Sequence, residues 1–341
     1  MKKIIIIAIG ILVLLGGILG YPYYKKYKGN NVAKEGYVLI PRNAKLEQVM
    51  DSIKPYLSNA EDFREVALDK NMDKSIKAGR YHIKSGSSNT QLVNMIKAGN
   101  QTENTFRIGD FGDVYQMIGR VTRKTELDSM KFASELDKIA VDKGYKNAED
   151  LKKYFFSDTY NFFWTVEPKD FFKKFENDYN DFWTAERKSK EQKLGLSREQ
   201  IYALASIVFK ESGGKTDEQK TIAGLYLNRY RKGMKLQSDP TVIYAINKSN
   251  NFSKVINRVY YKDLRTPSPY NTYANAGIPP GPICIVDKSS VDAVLNAENH
   301  GYIYMCADPK RFGYHKFTAS DAEHAQNAKA YQDWLNSKQI K

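Results

Sequence analysis

The sequence predicts an α+β protein with an N-terminal transmembrane helix, a small α+β module and a C-terminal α+β domain. The observations behind this prediction are an uncharged N-terminal run, repeated strand-and-helix patterns before Thr122, and a capped helix with a proline-rich loop after Gly195. With 341 residues, the chain is long enough for two domains with separate cores. The predicted boundaries are 1–28 for the membrane segment, 36–122 for the module, 123–194 for an aromatic and charged connecting region, and 195–341 for the C-terminal domain.

The composition is that of a folded protein with a basic surface. Hydrophobic residues make up 42% and charged residues 27%, which argues against wholesale disorder and against a polytopic membrane protein. The net charge of +14 favours anionic polymers or membrane surfaces as partners. Nucleic acid is not a predicted partner, because zinc-finger spacing, an RNA-binding aromatic motif and a dense arginine tract are all missing from the sequence. Cys284 and Cys306 leave both a single disulfide and two buried thiols open.

The first element is an apolar segment at residues 4–24. Its 21 uncharged residues are enough to cross a membrane core of about 30 Å as a helix. A cleaved signal peptide is the alternative, but its apolar region would be shorter and would end in small residues, whereas this run ends in tyrosines and lysines. We therefore predict an uncleaved single-pass anchor in the cytoplasmic membrane, with the rest of the chain on its outer side.

Three loose copies of a strand followed by an amphipathic helix come next. The strands are predicted at YVLIP (37–41), RYHI (80–83) and TFRI (105–108), each followed by apolar residues at helical spacing. Units of this size resemble LysM-like modules, which bind amino-sugar polymers of cell walls. A small packing domain without a ligand remains open, because the periodicity indicates a core and does not indicate a binding face.

An aromatic stripe dominates the connecting region. Phe171, Phe172, Phe175, Tyr179 and Phe182 recur every three or four residues. An aromatic stripe at helical spacing is typical of a buried helix face, so we predict a core helix there.

The most informative predicted helix carries a carboxylate on its apolar face in the last turn. Ser197 and Gln200 form a capping box at its start, and Gly213 follows its end. Glu211 falls on the apolar face in the last turn, where both burial and the negative end of the helix dipole raise a carboxyl pKa. A raised pKa suits a general acid near neutral pH. The alternative is that Glu211 turns outward or pairs with a lysine.

Two further segments carry candidate binding residues. Asp239 and Pro240 predict an N-cap and first helical residue, a structural role that leaves Gln237 and Ser238 unexplained. The run at 266–283 holds five prolines and two glycines, so it cannot be a regular helix or a central strand. Such a loop offers the hydroxyls, amides and aromatic faces that sugar recognition needs, although a purely structural loop is the alternative. Its polar residues are Tyr270, Asn271 and Thr272.

The C-terminal tail predicts a helix near 289–295, a strand at 302–306 and a last helix capped by Ser320 and Glu323. His300, His315 and His324 lack the spacing of metal ligands. We therefore predict neither a metal nor another cofactor.

Four ordered motifs in the C-terminal part resemble the endolytic murein transglycosylase family, also called YceG-like. They are LASIVFKES (204–212), LYLNRYRKGMKLQSDPTVIYAI (225–246), TPSPYNTYANAGIPPGPI (266–283) and GYHKF (313–317). The family's catalytic glutamate lies in a segment usually written IVEKE, and its second glutamate corresponds to Glu211. Phe209 replaces the first glutamate, so a helper carboxylate at that position is lost.

The resemblance implies cleavage between N-acetylmuramic acid and N-acetylglucosamine in nascent glycan strands, with formation of 1,6-anhydro ends. Glu211 would act as both acid and base. It also implies peptidoglycan strands as substrate and peptidoglycan synthases and other wall-synthesis proteins as partners. The predicted glycan contacts are Gln237, Ser238, Asp239, Tyr270, Asn271, Thr272 and His315.

Other functions remain open from the sequence. A peptidoglycan-binding scaffold without activity would keep the same motifs. A hydrolase would pair Glu211 with a second carboxylate, such as Asp239 or Glu218, and would release reducing ends. An envelope metalloenzyme would lose activity in chelator.

Overall fold

The computed structural model describes residues 16–18, 20–253, 256 and 258–338. Most of the predicted anchor therefore lies outside the described residues, although residues 20–28 are helical. In the part of the chain that is described, no helix has both the length and the apolar character needed to cross a membrane.

Helices alternate with short strands along the chain, which confirms the α+β class. In chain order the elements are β1 (Gly36–Ile40), α1 (Leu46–Ile53), α2 (Ala60–Asp69), β2 (Gly79–Ile83), α3 (Asn89–Ala98), β3 (Asn104–Arg107), α4 (Val114–Val121), α5 (Ser129–Asp142), β4 (Thr159–Phe162), α6 (Pro168–Phe182), α7 (Ala185–Leu194), α8 (Arg198–Ser212), α9 (Thr216–Arg231), α10 (Asp239–Ser249), α11 (Lys288–Leu295), β5 (Tyr304–Ala307), β6 (His315–Thr318) and α12 (Asp321–Ser337).

The described strands pair two by two, and the chain divides into two compact units. The pairs are β1 with β2, β3 with β4, and β5 with β6. Unit 1 comprises Met1–Phe106, Thr122–Asp128 and Asn161–Glu167, and unit 2 comprises Arg107–Val121, Ser129–Tyr160 and Pro168–Lys341.

Unit 1 contains the first two predicted strand-and-helix units. β1 and β2 are antiparallel, with Val38 opposite Tyr81, and both of these side chains are buried. Helices α1 and α3 bury the apolar residues that follow each strand, as their periodicity predicts. Helix α2 was not predicted, because only three of its residues are buried and its apolar pattern is correspondingly weak. β3 and α4 confirm the third predicted pair.

The core of unit 2 surrounds α8. Every residue from Ile201 to Val208 is buried, and α8 packs against α9 and α11. The Ser197 hydroxyl accepts the Gln200 N–H, and Gly213 ends the helix with φ 57°, a left-handed conformation that costs glycine little. The predicted capping box and helix end are therefore confirmed. The aromatic stripe of α6 is buried as predicted, and Tyr179 and Phe182 join the same core.

Two helix starts differ from the prediction by one residue. Thr216 and Gln219 have the spacing of a capping box, which predicts Thr216 as the N-cap of α9. Lys215 occupies that position instead, and Thr216 is already helical. α10 has Ser238 at its N-cap, and Asp239 is already helical. The reason lies in tertiary contacts, because the Asp239 carboxylate accepts the Tyr273 hydroxyl at 2.7 Å instead of a helix N–H.

Candidate active site

A cleft of about 420 Å³ opens in unit 2 at the C-terminal end of α8. Six pieces of chain form it: the last turn of α8, one face of α9, the start of α10 with the turn before it, the loop at 266–283, the β5–β6 hairpin and the first turn of α12. Its lining residues are Glu211, Leu225, Tyr226, Arg229, Leu236, Gln237, Asp239, Tyr273, Tyr304, Met305, Cys306, Ala307, His315 and His324.

The Glu211 carboxylate is held on one side only. Its Oε1 accepts the Tyr226 hydroxyl at 2.7 Å and also accepts the Ser238 hydroxyl. Within the described residues, no hydrogen bond to Oε2 is found. No ion pair between Glu211 and a lysine is found in the described part of the chain, and the neighbouring Lys210 pairs with Asp110. One oxygen is thus fixed by two hydroxyls, and the other has no hydrogen-bond partner among the described residues.

Burial is the main influence on the acidity of Glu211. It raises the pKa of this carboxyl above its ordinary value, while the hydroxyls of Ser238 and Tyr226 lower the pKa in part. The raised pKa predicted from the apolar helix face is therefore confirmed. A carboxyl group with a raised pKa retains its proton to higher pH, as a general acid must.

Thr272 holds the turn that carries Ser238. The Thr272 hydroxyl accepts the Ser238 N–H at 3.0 Å, and the Thr272 carbonyl accepts the Gln237 N–H at 3.2 Å. Thr241 completes the buried group with a hydroxyl 2.9 Å from that of Thr272. Although Ser238 occupies the N-cap of α10, its side chain caps no helix N–H, because its hydroxyl is used on Glu211.

Arg229 braces the same edge of the cleft from α9. Its guanidinium donates to the carbonyls of Lys235 at 2.9 Å and Ile303 at 2.8 Å, and also to Gln237 Oε1. Gln237 itself has φ 54°, an uncommon left-handed conformation for a residue other than glycine. Burial lowers the pKa of Arg229 from its ordinary value. The cation therefore ties the start of α10 to the hairpin.

Two aromatic residues add ring surface to the cleft. Tyr273 donates its hydroxyl to Asp239, and Tyr304 stacks on His324 with ring centroids 4.9 Å apart. Flat rings beside carboxylates and imidazoles are a common arrangement for binding sugars, whose faces are apolar and whose edges carry hydroxyls.

The predicted site residues do not all meet in the cleft. Gln237, Asp239 and His315 line it, and Ser238 reaches it through its bond to Glu211. Asn271 and Thr272 are buried, and the Asn271 amide donates to the carbonyls of Leu264 and Thr266 at 2.9 Å.

Tyr270 lies elsewhere. It lines a separate cavity of about 180 Å³, where its ring packs on Tyr244 at 4.7 Å between centroids. Within the described residues, no group of three or more His, Cys, Asp or Glu side chains is arranged to hold a metal ion. Cys284 and Cys306 are both free thiols, so the single disulfide left open by the sequence is not formed.

Comparison with known proteins identifies the family. The sequence profile of the YceG-like family matches residues 38–330, which is most of the chain. The chain belongs to the YceG-like family.

Relatives of this YceG-like chain carry a functional name. A protein of Bacillus subtilis (strain 168) named endolytic murein transglycosylase is 40% identical over 154 residues, which cover 45% of this chain and 39% of the relative. A protein with the same name from Streptococcus pneumoniae serotype 2 (strain D39) is 37% identical over 116 residues, covering 33% of this chain and 20% of the relative. The matches thus span well under half the length of these relatives.

A solved structure supports the same YceG-like fold. The crystal structure of a yceG-like protein from Listeria monocytogenes aligns with a TM-score of 0.55 and 26% identity. The alignment covers 86% of this chain and 98% of the other.

The YceG-like cleft contains residues that sequence reasoning missed. The periodicity of α9 predicts Tyr226 and Arg229 only as helix residues. In the structure the Tyr226 hydroxyl donates to Glu211, and the Arg229 guanidinium donates to Gln237. Tyr273 comes three residues after Tyr270 and belongs to the same loop, so a search for aromatics there would have included it. Phe209, the departure from the family motif, packs against the core of unit 2 and is not among the cleft residues.

Proposed function

We propose that this YceG-like chain is a peptidoglycan lytic transglycosylase that cuts glycan strands between N-acetylmuramic acid and N-acetylglucosamine. The observation that carries the proposal is Glu211, a half-buried carboxyl in the cleft with a raised pKa, one oxygen anchored by two hydroxyls and the other without a hydrogen bond among the described residues. The name shared by the B. subtilis and S. pneumoniae relatives supports it. Termination of nascent strands follows as part of the same proposal.

Glu211 serves as both acid and base in the proposed reaction. Its protonated Oε2 gives a proton to the glycosidic oxygen as the bond from that oxygen to C1 of N-acetylmuramic acid breaks. The 6-hydroxyl of the same sugar then forms a bond to C1 and returns its proton to the Glu211 carboxylate. A 1,6-anhydro ring closes, and no water is consumed. Tyr226 and Ser238 hold Oε1 throughout, which keeps Oε2 in one position.

The predicted glycan contacts take different roles in this proposal. Gln237, Asp239 and His315 are proposed to touch the sugar, because their side chains line the cleft. Ser238 is proposed to act through Glu211. The remaining predicted contacts, Tyr270, Asn271 and Thr272, are proposed to shape the loop that supports the cleft.

The remaining parts of the chain are proposed to place the enzyme at the wall. The uncharged run at 4–24 supports a single-pass anchor in the cytoplasmic membrane with the cleft on the outer side. The paired strands and helices of unit 1 support a LysM-like module that contacts glycan. Work beside peptidoglycan synthases and other wall-synthesis proteins follows from the same location.

Product analysis tests the proposed reaction. Purified sacculi are digested with the full-length chain in detergent, with its Glu211→Gln variant, and with Glu186→Gln, a matched control on the exposed face of α7. We expect anhydro-ended fragments from the parent and the control, with a loss of about a thousandfold or more in Glu211→Gln. If the parent binds sacculi without cleaving them, the result supports a peptidoglycan-binding scaffold without activity.

A hydrolase is the second candidate, and one observation favours it. Asp239 lines the same cleft as Glu211, so a second carboxylate is available to activate water. Glu218, the other carboxylate considered from the sequence, is less suited because both of its oxygens bind His315. Mass spectrometry separates the two reactions, since hydrolysis adds one water to the product.

A further inference from the structure

A buried carboxylate behind the cleft binds one histidine through two bonds. Glu218 lies in the first turn of α9, and only 7% of it is exposed. Its Oε1 accepts the backbone N–H of His315 at 2.8 Å, and its Oε2 lies 2.9 Å from Nδ1 of the His315 ring. His315 is the first residue of β6 and lines the cleft with Glu211.

The chemistry of this pair determines where the ring carries its hydrogen. An ionised carboxylate only accepts hydrogen bonds, so Nδ1 has to be the donor. In a neutral imidazole the other nitrogen, Nε2, then has a free lone pair. Because Nδ1 is occupied by Glu218, Nε2 is the ring nitrogen that remains for a molecule in the cleft.

We propose that Glu218 is a positioning residue that holds His315 with its hydrogen on Nδ1 and with Nε2 ready to accept a hydrogen bond from the glycan. The donor on the substrate would be a sugar hydroxyl or the N–H of an N-acetyl group. This inference rests on the proposed function of the cleft. It extends that function by assigning a role to a carboxylate that is not itself among the cleft residues.

A neighbouring contact joins α9 to the hairpin without involving the His315 ring, so it can serve as a control. Asp217, the residue before Glu218, accepts the hydroxyl of Tyr314, the residue before His315, at 3.0 Å. That contact is exposed and also joins α9 to the hairpin, but it involves no histidine ring. Substitution of Asp217 therefore measures the loss of a contact between α9 and the hairpin, and substitution of Glu218 measures the loss of ring orientation as well.

The test replaces Glu218 by glutamine in the full-length chain. A glutamine can still accept the backbone N–H through its oxygen, but its NH₂ group then faces Nδ1, which must become an acceptor. The ring hydrogen moves to Nε2, and the cleft meets a donor in place of an acceptor. We expect Glu218→Gln to lower kcat by about 10- to 100-fold, because a hydrogen bond to the glycan is lost, with little loss of thermal stability.

The ring hydrogen is measured directly by NMR on the chain labelled with ¹⁵N in its histidine rings. The chain has four histidines, and a His315→Gln variant assigns the signal of interest. We expect the hydrogen on Nδ1 in the parent and on Nε2 in Glu218→Gln. This measurement needs no substrate, so it tests the ring orientation independently of the proposed function. Failure of the proposed function would be seen separately, as a parent that releases no anhydro ends.

Asp217→Asn is the matched control, and we expect its kcat and KM to stay within about twofold of the parent, as for a surface substitution. A double variant of Glu218→Gln with His315→Gln should lose no more activity than His315→Gln alone, because both changes act on one ring. Parental kcat in Glu218→Gln would overturn the proposal, and so would a parent ring with its hydrogen on Nε2. If Glu218→Gln does not fold, the parent spectrum still decides.

Discussion

At the scale of the residue, the two carboxylate oxygens of Glu211 differ in their hydrogen bonds. Glu211 Oε1 accepts two hydroxyls, whereas Oε2 has no hydrogen bond within the described residues. Burial raises the pKa of the group, and the hydroxyls limit the rise. The result is a carboxyl group with a raised pKa and one oriented oxygen, whereas a carboxyl group on a bare apolar face would lack the orientation.

A first prediction concerns the pH dependence of the reaction. Tyr226→Phe removes a hydroxyl that lowers the pKa of Glu211, so the pKa of Glu211 should rise further. A general acid works only while protonated, so activity is lost as pH rises through that pKa. We therefore expect the alkaline limb of kcat/KM to move to higher pH in this variant. The profile is measured on purified glycan strands.

Tyr230→Phe, one turn later on α9 and outside the cleft lining, is the control for this profile. Its alkaline limb should coincide with that of the parent. If the alkaline limb of kcat/KM stays in place or moves to lower pH in Tyr226→Phe, Glu211 is not the general acid.

At the scale of the element, α9 is the helix on which the site is built. It carries Glu218, Tyr226 and Arg229, and it lies close to the segment that leads into the hairpin. His300 contacts the carbonyl of Thr221 at 2.9 Å. This close approach requires a residue without a side chain in the middle of the helix.

The second prediction tests that approach at Gly224. An added Cβ would lie 2.4 Å from the Glu298 carbonyl oxygen and 2.7 Å from His300 Nε2. Although alanine favours helix by about 1 kcal/mol over glycine, the clash with backbone should dominate. We expect Gly224→Ala to lower the free energy of unfolding by about 1–3 kcal/mol, as measured by urea denaturation.

Gly119→Ala provides the matched comparison. Gly119 also lies inside a helix, α4, but its added Cβ would meet no atom within 4 Å in the described structure. We expect this variant to be about 0.5–1 kcal/mol more stable than the parent. Similar effects of the two alanines would show that α9 has room to move away from the segment at 298–300.

At the scale of the whole molecule, unit 2 gathers its core from distant parts of the chain. Phe156, Phe182 and Trp183 pack in the same cluster as the residues of α8 and α9. Lys152, which is almost fully buried, donates to the carbonyls of Gly112 at 2.6 Å and Pro282 at 3.3 Å. These contacts connect segments that precede the predicted domain boundary to segments that follow it.

The third prediction tests the boundary at residue 195. A fragment of residues 195–341 would lack the aromatic side chains that fill one side of the α8 core, so the exposed apolar surface should prevent stable folding. We expect no cooperative thermal transition in this fragment by circular dichroism. The full-length chain should show one under the same conditions.

A cooperative transition in the fragment, together with release of anhydro ends from sacculi, would instead support the boundary predicted from the sequence. Cooperative folding without activity would point to a missing contribution to the cleft from upstream residues.

The sequence by itself determined the features that depend on near neighbours. The capping box of Ser197 and Gln200, the left-handed Gly213, the strand-and-helix pairs and the place of Glu211 on an apolar helix face all involve residues a few positions apart. Periodicity and capping chemistry act over that range, which is why these predictions are confirmed. The family motifs indicated the acid for the same reason, since they are local in sequence.

Only the tertiary structure decided which polar groups surround that acid. Ser238 lies 27 positions from Glu211, and Glu218 lies 97 positions from His315. The tertiary structure also buries Asn271 and Thr272 and places Tyr273 in the lining of the cleft. A side chain that suits a ligand equally suits a buried hydrogen bond, and helix packing decides which of the two it makes.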